Sequence, residues 1–204
     1  FLKRAFRRDV TEEEVAHATD SFHEFRKLTG DFKSAMRKTM TMLLVSPKFI
    51  YLIEPSVADT SARELNAYEL ATRLSYFLWA STPDDGLLSL ASSGELLEPD
   101  VMRGEVARMR SDSKFQRFVK HFHSQWLGLS ALDDVAVNPA AHPEFSDEIR
   151  ENFKLETLAF ASHIFMNDLS CRNFISSDFA MLNQVVAKHY GIDGVNRSHF
   201  RPVA

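Results

Sequence analysis

Cysteine is almost absent from this sequence. The single Cys171 has no partner for an internal disulfide, and neither CxxC nor CxxCH occurs, so covalent c-type haem attachment within the chain is excluded. In its Ser-Cys-Arg setting, Cys171 reads as a small packing residue rather than a reactive thiol. Glycine and proline are scarce too, at seven each in 204 residues. So few turn formers imply long elements, which favours helices. No alternating apolar run marks a strand. No apolar stretch approaches the roughly 18 residues needed to span a bilayer. A Gly-rich phosphate loop, a nucleophile elbow and an HExxH pair are all missing. Positive charge is not in excess: a net charge of −4 and a pI near 6.1 argue against a nucleic-acid surface as the main role. Phe1 in place of an initiating Met suggests a piece of a longer polypeptide.

What is present is ordinary globular composition, 45% hydrophobic and 25% charged, in a chain long enough for one sizeable core or two small helical subdomains. The clearest element starts at Asn66. Asn66 and Glu69 form a capping box, with Leu65 and Leu70 at staple spacing. Ala67, Leu70, Ala71, Leu74, Phe77 and Leu78 then share one side, while Tyr68, Tyr76 and Trp79 fall mostly on the other. A helix apolar on two sides is expected in the middle of a bundle.

The same signals recur along the chain. Lys3, Arg4, Arg7 and Arg8, interleaved with Leu2, Ala5 and Phe6, read as an amphipathic helix with a solvated basic side. Thr11 and Glu14 make a second capping box, and Gly30 ends that helix. Asp31 caps a third, with Phe32, Ala35, Met36, Met40, Leu43 and Leu44 at helical spacing. Phe49 to Ile53 is a short apolar run read as a helical turn, and the polar stretch from Glu54 to Arg63 as a linker. Thr82 with Pro83, and then Pro99, open two further helices. Phe115, Phe118, Val119, Phe122 and Trp126 mark one narrow aromatic face. Residues 146–167 are apolar nearly all round and are expected to be deeply buried; residues 178–190 form the final helix. The expectation is an all-α bundle of about eight helices. An N-terminal helical hairpin, residues 1–54, packs on a main bundle, residues 63–204.

Chemistry-bearing candidates are few. His121 and His123, two apart on a helix, point about 200° from each other and cannot share a metal unaided. Phe122 faces inward in this reading, with His123 on the flank. Glu156 and His163, two turns apart on an apolar side, are the weak candidates for a site, as a general base or a non-covalent haem ligand. The blander reading is a buried carboxylate paired with a cation, Arg73 first. Tyr76, Trp79 and Trp126 could line an aromatic groove for sugar or haem, though aromatics at helical spacing usually form core. His142, beside Pro143 and Glu144, reads as a turn.

Three blocks resemble a known arrangement. They are Phe1-Leu-Lys-Arg-Ala-Phe-Arg-Arg with the Thr-Glu-Glu-Glu-Val that follows; Leu65 to Asp85, LNAYELATRLSYFLWASTPDD; and Phe122-His-Ser-Gln-Trp-Leu-Gly-Leu with Leu182-Asn-Gln-Val-Val-Ala-Lys-His-Tyr-Gly-Ile. Together they resemble two adjacent domains of unknown function in large planctomycete-type bacterial proteins that also carry a c-type cytochrome domain. The resemblance spans nearly the whole chain. It implies export to the periplasm or cell surface, other domains of the same polypeptide as partners, and haem c on a neighbouring domain. It supplies no catalytic residue, cofactor site or metal site for this chain. The expected role is a scaffold or docking module of such a protein. The alternative is part of an oxidative or hydrolytic enzyme acting on polysaccharide, its site completed by other domains.

Overall fold

A computed structural model describes residues 1–52, 54 and 63–204. Ile53 and most of the expected linker, residues 55–62, lie outside the described residues. The fold is all-α, with two three-residue strands as its only sheet among the described residues. The chain forms two compact units, Phe1–Met109 and Arg110–Ala204.

Unit 1 begins with α1 (Leu2–Phe6), α2 (Glu12–Thr29), α3 (Phe32–Leu44) and α4 (Pro47–Ile50). The Thr11 capping box is complete, Gly30 ends α2 at a left-handed φ of 65°, and Asp31 caps α3 through the Ser34 amide. α2 and α3 form a hairpin with little core of its own: Ala18 is the buried residue of α2, and Ala35, Thr39 and Leu43 are those of α3. Ala5, Phe6, Ala18 and Leu43 cluster with Leu2, Val10, Met42 and Phe49 around them.

Arg7 departs from the solvated basic side expected of it. It is only 5% exposed and ends α1 in the left-handed region at φ 56°. Its guanidinium donates to the carbonyls of Phe49 (2.8 Å), Lys48 (3.2 Å) and Tyr51 (2.8 Å). A rigid five-donor fork suits this job, because the last turn of a helix leaves carbonyls without intrahelical partners. Glu14 completes the joint by bonding Arg8 (2.7 Å) and Lys48 (2.6 Å).

α5 (Ala67–Trp79), α6 (Asp85–Ser93) and most of α7 (Pro99–Ser111) complete the unit. Both halves of the Asn66–Glu69 box form. The buried face of α5 is rotated from the expected one: Ala67, Ala71, Thr72, Ser75, Leu78 and Trp79 are buried, and Phe77 is 63% exposed. Trp79 anchors this choice by donating from its indole N–H to the Met109 carbonyl at 3.0 Å. α6 is capped by Asp84, not Thr82, so the helix starts after the Pro83-Asp84 step. Arg4 pairs with Asp85, and Arg7 lies over the Tyr76 ring, tying residues 1–54 to α5 and α6.

Unit 2 holds α8 (Gln116–Trp126), α9 (Asp147–Met166), β1 (Ala180–Leu182), α10 (Gln184–Tyr190) and β2 (Arg201–Val203). The last helix begins later than expected. Asn183 accepts from the amides of Val185 and Val186, capping α10 at Gln184. This frees residues 180–182 to pair antiparallel with β2, Met181 opposite Pro202. Leu182, Val186, Ala187 and Val195 form the core there, with Phe153 packed against it. α9 is less buried than its composition suggests: Ile149, Ala161 and Ile164 are covered, but Leu155 and Met166 are more than 40% exposed.

Candidate functional site

α9 carries both weak candidates, and the structure gives them different neighbours. Glu156 is half-buried and accepts a hydrogen bond from the Tyr190 hydroxyl at 2.9 Å. Burial pushes its carboxyl above the usual range, and the Tyr190 bond only partly offsets this. Burial, then the bond to Glu156, pushes Tyr190 up to about 12. Tyr190 stacks on Phe153 with centroids 5.9 Å apart, and His189 meets Phe153 edge-on. Arg73, the expected partner of Glu156, bonds Glu54 instead, at 2.8 and 2.6 Å.

His163 lies edge-on to Phe179 with ring centroids 5.3 Å apart, and its Nδ1 is 3.2 Å from the Asn167 amide nitrogen. Seven residues of helix separate it from Glu156, a rise of about 10 Å. The two are thus not one constellation. Glu156 is a half-buried carboxylate paired with a phenol.

The surprise is His123. Expected on the flank of α8, it is fully buried, whereas Phe122 is 43% exposed. Its Nδ1 is 2.8 Å from the Val119 carbonyl, an acceptor, so Nδ1 carries the proton. Nε2 is buried with no hydrogen-bond partner. Rings surround it: Phe174 stacked at 5.6 Å, with Phe165, Phe122 and Trp126 edge-on. A small packed hydrophobic imidazole, rather than a ligand, is what this shell describes.

The remaining candidates scatter. Trp79 is core, with the Arg108 guanidinium over its ring at 5.3 Å. Tyr76 is partly exposed and Trp126 is 57% exposed, so an aromatic surface exists at Trp126 and Phe122 in unit 2. His121 is exposed, His142 lies 3.5 Å from the Glu144 carboxylate, and Cys171 is exposed. No cluster of three or more His, Cys, Asp or Glu among the described residues could hold a metal. None of the helices searched among those residues is long and apolar enough to cross a membrane. Clefts among the described residues include one of about 620 Å³ in unit 1 beside Phe6, Arg7, Tyr68 and Thr72, and one of about 810 Å³ in unit 2 beside Glu148, Lys188, His189 and Asp193.

The largest feature missed by sequence reasoning is on the surface. Phe32, Met36, Met40 and Leu44 of α3 are 37–58% exposed, on the edge of a helix whose inner face is Ala35, Thr39 and Leu43. Their i, i+4 spacing was legible; the lack of cover was not.

These features define a two-unit all-α module. Family comparison makes the assignment finer. The chain belongs to the PSD4 family, proteins of unknown function (DUF1592), whose profile matches residues 65–192. Residues 1–54 match a second profile, PSD5, also proteins of unknown function (DUF1595). Searches of curated proteins and of solved structures gave no match.

Proposed function

We propose that this chain is a scaffold or docking module of a larger exported bacterial protein that also carries a c-type cytochrome domain. Its partners are then the other domains of that polypeptide, its setting the periplasm or cell surface, and its haem that of a neighbouring domain. The observation that carries the docking part is the open apolar ridge of α3. Four large apolar side chains in one row, on a hairpin with little core, are a surface awaiting a partner rather than scattered exposure. The cytochrome context and the compartment rest on the resemblance of the three sequence blocks.

The test is association in trans. This chain and the remainder of its polypeptide, expressed separately, are titrated in a calorimeter. Docking predicts binding that Met36→Asp with Met40→Asp abolishes. Absence of binding, or binding indifferent to that pair, contradicts the proposal.

A second reading, an enzyme acting on polysaccharide, is favoured by one observation: the raised Glu156 carboxyl in the unit that also exposes Trp126 and Phe122. Glu156→Gln would then abolish glycan turnover by the full-length protein while leaving its folding intact. Unchanged turnover would exclude Glu156 as its acid or base.

A further inference from the structure

The charges beside the α3 ridge narrow what can cover it. α3 reads FKSAMRKTMTMLL, with three cations and no carboxylate. Lys33 and Arg37 form the helical row next to Phe32, Met36 and Met40, and both are exposed. Many other cations of unit 1 are paired: Arg4 with Asp85, Arg8 and Lys48 with Glu14, Arg73 with Glu54, Arg108 with Glu105 and Asp84. No ion pair among the described residues involves Lys33, Arg37 or Lys38. An apolar row thus runs beside unpaired positive charge.

We infer that the exposed edge of α3 docks an amphipathic helix of a partner domain, apolar along one row and acidic beside it. This rests on the docking reading and adds the chemistry of the partner. Residues at i, i+4 spacing make a ridge about 18 Å long, which packs between the ridges of another helix at an interaxial distance of roughly 8–10 Å. Methionines suit such a contact because their unbranched side chains adapt to a neighbour. A second copy fits poorly: α3 holds no carboxylate, so pairing α3 with itself supplies no countercharge to Lys33 and Arg37. A membrane surface fits poorly as well. Ala35, Thr39 and Leu43 already spend the inner face of the helix, and what is left is one row wide, whereas a helix lying in lipid buries a broad face.

The experiment places a photoreactive residue on the ridge of the full-length protein in its own cells, as Met36→p-benzoylphenylalanine and separately Met40→p-benzoylphenylalanine. Crosslinked peptides are identified by mass spectrometry. The expected product is a helical segment of another domain with Asp or Glu flanking an apolar row. Its yield should fall about tenfold when Lys33→Glu and Arg37→Glu are added. A crosslink to a protein segment without acidic flanks, or a yield indifferent to charge reversal, overturns the acidic partner but leaves docking in place. A crosslink to lipid or to α3 of a second copy overturns the inference, and no crosslink at either position overturns the docking reading with it.

Discussion

Two carboxylates show how differently the units are held together. Glu14 in unit 1 lies under Arg8 and Lys48, with its side chain only 10% exposed. The Arg8 bond, helped by Lys48 and the Thr11 amide, holds it far below the usual carboxylate range despite its burial. Glu156 in unit 2 has a phenol and rings around it, and burial drives it the other way. Unit 1 joins short helices, α1 and α4, with charge and with the Arg7 fork. Unit 2 joins long ones through stacked aromatics around α8 and α9. A hairpin fastened at its base by ions need not bury the apolar edge of α3, and that edge stays open for something else.

The strongest way to break this picture is Arg7→Ala. It strands the carbonyls of Lys48, Phe49 and Tyr51 and should cost about 3–5 kcal/mol in urea denaturation. Arg7→Lys should recover less than half, because an ammonium lacks the fork. Loss of under about 1 kcal/mol from the alanine variant would show that the joint is not held by charge.

The matching change in unit 2 is at His123. His123→Ala empties an aromatic shell and should cost about 3–4 kcal/mol. His123→Phe keeps the shell and removes the orphan Nε2, so it should fall within about 1 kcal/mol of the parent. A large loss from the phenylalanine variant would mean that the imidazole nitrogen matters.

Smaller effects sharpen the contrast through pH. The lowered Glu14 contributes stability that is present above its ordinary carboxylate range and lost as pH falls. Glu14→Gln should therefore cost about 2 kcal/mol at pH 7 and much less in acid. The raised Glu156 has the opposite sign: its contribution is complete at low pH and is lost as pH rises through its folded value. Glu156→Gln should be neutral or slightly stabilising at pH 7, the difference closing in acid. Glu14's share is lost only as pH falls through its depressed folded value, so denaturation of both variants at pH 7 and at about pH 2 checks the two signs. Last, Glu54→Ala should leave stability nearly unchanged in the same denaturation, since its Arg73 partner is 56% exposed.

The parts of this fold that sequence reveals are the local ones. Both capping boxes and the Gly30 stop depend on residues within one turn, and all three form. Burial is decided by distant partners, which periodicity cannot name. Trp79 and not Phe77 is core because the Met109 carbonyl waits for an indole N–H. Arg7 is buried because α4 ends beside it. His123 replaces Phe122 because Phe165 and Phe174 close over the imidazole. The pairing of β1 with β2 gives three residues per strand, too few for an alternating pattern. The α3 row read as the apolar side of a helix, since apolar spacing says which side is sticky and not what covers it.

That open row is the central claim, and methionine oxidation reads it directly. Met36 and Met40 are each 37% exposed, while Met109 and Met181 are buried and serve as internal references. Hydrogen peroxide is applied to this chain alone and to the full-length protein, and sulfoxide formation is followed at each methionine by mass spectrometry. Docking through α3 predicts fast oxidation of Met36 and Met40 in the isolated chain and protection of both in the full-length protein, with Met109 and Met181 slow in each. Equal oxidation of Met36 and Met40 in the two forms would contradict it.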